Sequence, residues 1–279
     1  IIYDFISYTD VFTYNITTLE SLLIYAMKTI TYQSDYLGNG FEFATINQPD
    51  DYEGKVVATV IRKQCSMPSN KAVLYVHGFN DYFFQSDMAH RFNEKEYHFY
   101  AVDLRKSGRS TLPHHKSNNM RSLTEYFADL DEALDIIRQE GNEQVLLSGH
   151  STGGLLVTLY ASERVGNEKF DTIFCNSPFY DMNMPGYQKR LLVPLVALFG
   201  KYFPDVLLPG KISEWYGHSL HGEKKGEWDY NLVWKPHLVP ALNAGWISAI
   251  HQGHTKIKKG IILTRPILVM HSHQSIYSK

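Results

Sequence analysis

Cysteine is scarce, with only Cys65 and Cys175 in 279 residues. They fall in separate elements, one past an early strand and one inside a later one. Two such thiols make no disulfide framework, so a reducing compartment is expected and the chain is read as cytoplasmic. Long apolar runs are also missing. The longest, Leu191 to Phe199, contains Pro194 and is about half of the roughly 18 residues a membrane helix needs, so no stable membrane insertion is expected. An excess of one charge is lacking as well: 27 Lys and Arg against 29 Asp and Glu leave a net charge of −2. That balance offers no electrostatic footprint for nucleic acid, and Lys256-Ile257-Lys258-Lys259 is read as a solvated helix end. Finally, residues 1–26 carry no basic residue ahead of their apolar parts, which excludes an ordinary secretion signal. Asn15-Ile16-Thr17 is therefore an incidental sequon. With Met27 a natural start, residues 1–30 are expected to be an extension outside the fold, whose domain runs over 31–279.

What is present centres on Val145-Leu146-Leu147-Ser148-Gly149-His150-Ser151-Thr152-Gly153-Gly154. A short apolar run enters this stretch, a helix-forming run leaves it, and Gly149 to Gly153 match G-x-S-x-G. Such a sharp strand-to-helix turn holds its serine in a strained backbone conformation, with glycine at the flanking positions where strand and helix nearly touch. The turn lifts the hydroxyl clear of the sheet, and the helix points its first N–H groups at whatever the serine attacks.

Around this turn the chain alternates strand and helix. Phe41 to Ile46 and Lys55 to Ile61 read as a hairpin turning at Pro49-Asp50-Asp51. Ala72 to Val76, Phe99 to Val102 and Thr172 to Cys175 read as buried strands. A helix begins at a capping box, Ser122 with Glu125, and stops at Gly141. The pattern predicts an α/β fold: a mostly parallel sheet with helices on both faces. The alternation breaks over about 180–262, which holds all four tryptophans, and strand character returns at Pro266 to Met270. That stretch is expected to be a helical cap. Leu191 to Phe199 offers an apolar face that suits an acyl chain or packing on the sheet.

His77-Gly78-Phe79, the loop Asp103 to Ser110 and the turn at Ser151 follow successive strands in an order that resembles the α/β-hydrolase family. Within it the chain is similar to the capped monoacylglycerol lipase, lysophospholipase and serine-aminopeptidase-like branch. The resemblance implies a serine hydrolase with Ser151 as nucleophile and the backbone N–H groups of Phe79 and Thr152 as oxyanion donors. It implies no cofactor. Its substrate would be a small acyl compound, an ester such as a monoacylglycerol or lysophospholipid. The alternatives are an amide, as in a serine aminopeptidase, or a small ligand held without catalysis.

The family pattern places the acid and then the histidine after the serine. Here His271-Ser272-His273-Gln274-Ser275 has serine where the acid is expected. Both partners are thus expected beyond Lys279, leaving the fold short at its C-terminus and residues 1–279 nearly inactive. His150, beside the serine, is expected to pack away from the hydroxyl. His218 with His221 and His251 with His254 have metal-like spacing but no supporting cysteine or carboxylate, so no metal is expected. Asp103 and Arg105 are expected to brace their loop, and the oligomeric state stays open.

Overall fold

The computed structural model describes residues 30–209 and 214–273, of which those from Tyr32 on belong to one compact unit, 32–279. Of residues 1–30, expected to be an extension outside the fold, all but Ile30 lie outside the described residues, as do Gln274 and Ser275. The apolar runs form a sheet with strand order β1-β2-β3-β5-β4-β6-β7-β8. Its strands are β1 (Gln33–Ser34), β2 (Glu42–Asp51), β3 (Gly54–Lys63), β4 (Lys71–Val76), β5 (His98–Asp103), β6 (Gln144–His150), β7 (Thr172–Asn176) and β8 (Ile267–Met270). From β5 to β8 every pairing is parallel, while β1, β2 and β3 add antiparallel ribbons at the other side.

Helices cover both faces. Val73, Tyr75, Phe99 and Ala101 point one way, into a core with Ala89 of α1 (Ser86–Asn93). Tyr100 points the other way, its hydroxyl donating at 2.6 Å to Glu140 just past α2 (Phe127–Gln139). The Ser122 and Glu125 capping box forms as expected, opening a 3₁₀ turn that leads into α2. The helix α3 (Thr152–Glu163) shares this face, its Tyr160 meeting Phe127 edge-on at 5.3 Å. Between β7 and β8 come α4 (Val193–Tyr202), α5 (Trp215–Leu220) and α6 (Ala244–Lys259). Among the described residues β8 is an edge strand, paired with β7.

One boundary differs from the sequence reading. Pro49 does not turn the hairpin but continues β2, at a register irregularity between Gln48 and Asp51. Proline has no N–H for the ladder, and a bulge is where a strand tolerates that. The turn is at Tyr52-Glu53 instead, closed by Gly54 at φ 93°.

That turn is pinned by Lys106, whose side chain is fully buried with its Nζ 2.6 Å from Asp51 and 2.8 Å from Glu53. At these distances Lys106 attracts both carboxylates by charge and short contact together. Burial alone would raise both carboxyls, but Lys106 outweighs it and holds them below their ordinary range. The sign follows: carboxyls depressed on folding stabilise above the ordinary carboxylate range, and this is lost as pH falls through the depressed values. Urea titrations are expected to show stability falling below about pH 4, with Lys106→Met less stable at neutral pH and flatter in that acid limb. An unchanged acid limb in Lys106→Met would refute the assignment.

Candidate active site

The strand order reverses between β4 and β6, since β4 leads outward to β5 while β6 returns to its other side. In open α/β sheets the crevice beyond the carboxyl ends at such a switch point is where ligands bind. Here those two ends carry His77-Gly78-Phe79 and Ser151.

Ser151 stands at φ 53° and ψ −118° between β6 and α3, a conformation costing a non-glycine residue on the order of 1–3 kcal/mol. Its N–H donates to the Asn176 carbonyl at 3.1 Å, and its own carbonyl accepts from Phe179 at 2.9 Å and Leu155 at 3.2 Å. The neighbouring glycines are demanded by space. A Cβ on Gly149 would lie 2.5 Å from the Gly153 oxygen, and one on Gly153 would lie 2.4 Å from the carbonyl oxygens of Val76 and His77. The third, Gly154, faces Pro178, whose Cβ would be 2.8 Å away.

The loop after β4 crosses beside the serine: a Cβ on Gly78 would be 3.2 Å from that of Ser151. His77 fixes the loop, with Nδ1 2.7 Å from the Gly78 carbonyl and Nε2 accepting the Leu104 amide at 3.1 Å. The Nδ1–H tautomer satisfies both. Phe79 stacks at a tilt on Trp246, centroids 4.9 Å apart. Neither the Phe79 N–H nor the Thr152 N–H, first in α3, is hydrogen-bonded among the described residues.

Ser151, Phe79 and Thr152 border one cavity of about 490 Å³. Its far wall comes from the β7–β8 insertion, chiefly Met182, Met184, Tyr216, Leu242, Trp246 and Ile247. One corner is polar. Lys235 Nζ pairs with Asp81 at 2.8 Å, both side chains buried, which ties the insertion to the β4 loop. Asn80 Oδ1 and both ring nitrogens of His237 have no partner among the described residues. Burial pushes His237 below the ordinary histidine range, helped by the nearby His218 and His221.

Of the other sequence-selected residues, His150 borders this site and the rest lie apart from it or brace it. His150 lines the same cavity, half-buried, and burial lowers its pKa. No hydrogen bond joins the Ser151 hydroxyl to a histidine among the described residues. His221 and His254 hold the carbonyls of Tyr230 and Phe179 at 3.1 and 2.7 Å. Arg105 grips Asp129 at 2.7 Å, and Asp103 grips Arg109 at 2.8 Å, so both brace loops as expected but with partners other than each other. Missed in the sequence was the Asp81–Lys235 pair, because its members stand 154 residues apart. The Leu191–Phe199 face neither packs on the sheet nor lines the cavity, and is largely exposed.

A strained serine at the switch point, a strand-to-helix turn and this strand order define an α/β-hydrolase fold. The chain belongs to the family described as serine aminopeptidase, S33, whose pattern matches residues 67–275. The fold is shared with a soluble variant of monoglyceride lipase from Saccharomyces cerevisiae, solved with a substrate analog, at 17% identity and a TM-score of 0.58 over 88% of this chain and 78% of that one. It is shared likewise with Paleococcus ferrophilus monoacylglycerol lipase (18% identity, TM-score 0.56, 75% and 76% covered). A thermostable carboxyl esterase from Bacillus coagulans, solved with glycerol, is similar at 14% identity and a TM-score of 0.54, with 76% and 72% covered. No curated protein matches the chain. No described helix is long and apolar enough to cross a membrane.

Proposed function

We propose that the protein is a serine hydrolase of carboxylic esters with a medium acyl group, monoacylglycerol- or lysophospholipid-like. The observation that carries this reading is Ser151 at φ 53° beside two unengaged N–H groups at the mouth of an apolar cavity. The acyl chain lies along Met182, Met184, Leu242 and Ile247, with its carbonyl over Ser151. Ser151 Oγ attacks that carbon, and the oxyanion takes hydrogen bonds from the N–H groups of Phe79 and Thr152, each worth roughly 10²–10³ in rate. Collapse expels the alcohol and leaves an acyl-serine, which water hydrolyses. The Ser151 proton needs a base. Among the described residues no histidine is hydrogen-bonded to the hydroxyl, and the group that takes its proton is left to the pH profile of Ser151 labelling.

The 31–279 region is the catalytic domain in this reading, with 180–262 as its cap, and the separate thiols Cys65 and Cys175 suit the cytoplasm. The family description favours a second reading, amide cleavage at small N-terminal residues, in which the polar corner at Asp81 and Asn80 would receive the amino group. Fluorophosphonate capture of Ser151 tests the nucleophile. Protection by a monoacylglycerol, and none by an aminoacyl amide, is expected; the reverse order would favour the second reading.

A further inference from the structure

Among the described residues that line the cavity beside Ser151, Asp81 and Lys235 alone carry a formal charge. The two lining histidines, His150 and His237, are both held below the ordinary histidine range by burial and are neutral at pH 7. Asp81 and Lys235 cancel each other. Their charged atoms stand 2.8 Å apart, and both side chains are only 7% exposed. Lys235 otherwise faces the rings of Phe84, Tyr216 and Tyr230, with centroids 5.7, 6.0 and 5.7 Å from Nζ. At His150, next to the nucleophile, the two charges act in opposite directions, Asp81 pulling the pKa up and Lys235 pushing it down. The cavity therefore holds a buried dipole and no net charge. Asp81 is also close to the chemistry along the chain, two residues past Phe79.

We propose that the Asp81–Lys235 pair is a charge filter, which restricts the cavity to uncharged acyl compounds and would, with either partner alone, admit the opposite charge. The filter rests on the hydrolase reading for the placing of the ligand, acyl chain along Met182 and Leu242 and alcohol toward the pair. A charged group that enters a site without a free counter-charge gives up its hydration and gains no partner. To reach Lys235, a phosphate must displace Asp81. To reach Asp81, an ammonium must displace Lys235. Either exchange leaves the displaced member buried and unpaired, which is the costly outcome for such a pair. A hydroxyl displaces neither, and can hydrogen-bond to the edge of the pair as it stands. Specificity of this kind comes from what the wrong ligand leaves unpaired, not from an added contact with the right one. Of the compounds considered above, the filter retains the ester of a neutral alcohol. It turns away a phospholipid headgroup and an N-terminal amine. The pair's tie between the insertion and the β4 loop distinguishes no ligand from another, so that role alone produces no preference by charge.

Calorimetric titration of the Ser151→Ala protein at pH 7 tests this without hydrolysis. Three octanoyl esters differ only in the alcohol: monooctanoylglycerol is uncharged, octanoylglycerol phosphate anionic and octanoylcholine cationic. The uncharged ester is expected to bind about tenfold or more tightly than either charged one. With Asp81→Asn added, the anionic ester should move to first place, and with Lys235→Met added, the cationic one, each gaining about tenfold or more. Damage to the fold would weaken all three esters together and could not send the two variants in opposite directions. Asp81→Asn with Lys235→Gln removes both charges and should keep the order of the parent, which covers the case of a single variant that does not fold. Equal binding of the three esters by Ser151→Ala, or no binding of the uncharged one, would overturn the proposal. So would a charged ester leading in the double variant, or folded single variants that keep the parent's order. The expected order in Ser151→Ala, with no labelling of Ser151 in the wild type, would sink the hydrolase reading and leave the filter standing.

Discussion

Asp103→Ala is expected to cost about 3–5 kcal/mol in urea unfolding, the range for leaving one member of a buried ion pair behind. Asp103 is wholly buried. One of its oxygens accepts the Phe83 amide at 2.8 Å, and the other accepts the Arg109 amide at 3.0 Å and its guanidinium at 2.8 Å. A single carboxylate thus ties the loop after β4 to the loop after β5. Burial alone would weaken the charge on Arg109, but Asp103 and then Asp35 outweigh it and raise its pKa. In the variant Arg109 keeps Asp35 at 2.7 Å, which places the cost toward the lower end of the range. Even that is a large share of a typical 5–15 kcal/mol of total stability. Asp103→Asn, which keeps an acceptor for Phe83, should lose less. Equal stability of Asp103→Ala and wild type would contradict the pinning role.

The second large effect is expected at Gly153. A methyl group there would meet two backbone oxygens of β4 and its following loop at 2.4 Å, and backbone cannot rotate aside as a side chain can. Helix α3 must back away from β4, costing about 3 kcal/mol as overpacking. The same shift moves the Thr152 N–H and Ser151 away from Phe79. A displacement near 1 Å at a reacting group costs roughly 10²-fold. Labelling of Ser151 in Gly153→Ala should therefore fall about a hundredfold even at a temperature where circular dichroism shows the variant folded. Wild-type labelling in a folded Gly153→Ala would show that the close approach is not required.

These effects sit where the sequence was most readable. The turn at Ser151, the capping box at Ser122 and the strand ends at His77 and Asp103 depend on contacts between residues close in the chain or on spacings set by strand and helix geometry. Gly149 and Gly153 could be assigned a steric role before any coordinates, because a sharp strand-to-helix turn leaves no room for Cβ. Other features depend on partners no local pattern names. Asp81 finds Lys235, and Arg109 finds Asp35, across long stretches of chain. Pro49 reads locally as a turn residue, yet a bulge two strands deep in the ribbon absorbs it. Leu191 to Phe199 shows the limit in another way. Its composition predicts burial, and whether an apolar face is covered depends on which other elements reach it, not on the face itself.

The account turns on Ser151 as the reacting group, and intact-mass spectrometry after fluorophosphonate treatment tests that most directly. Imidazole in the buffer can take the Ser151 proton in place of a side-chain base, and the open cavity beside Ser151 gives it room. Base assistance of this kind is worth about 10²-fold or more in rate. The expected result is a single adduct on the wild type, formed at least tens of times faster with imidazole than without, mapping to Ser151 and absent from Ser151→Ala. An adduct of equal yield on Ser151→Ala, or none on the folded wild type at any imidazole concentration, would contradict it.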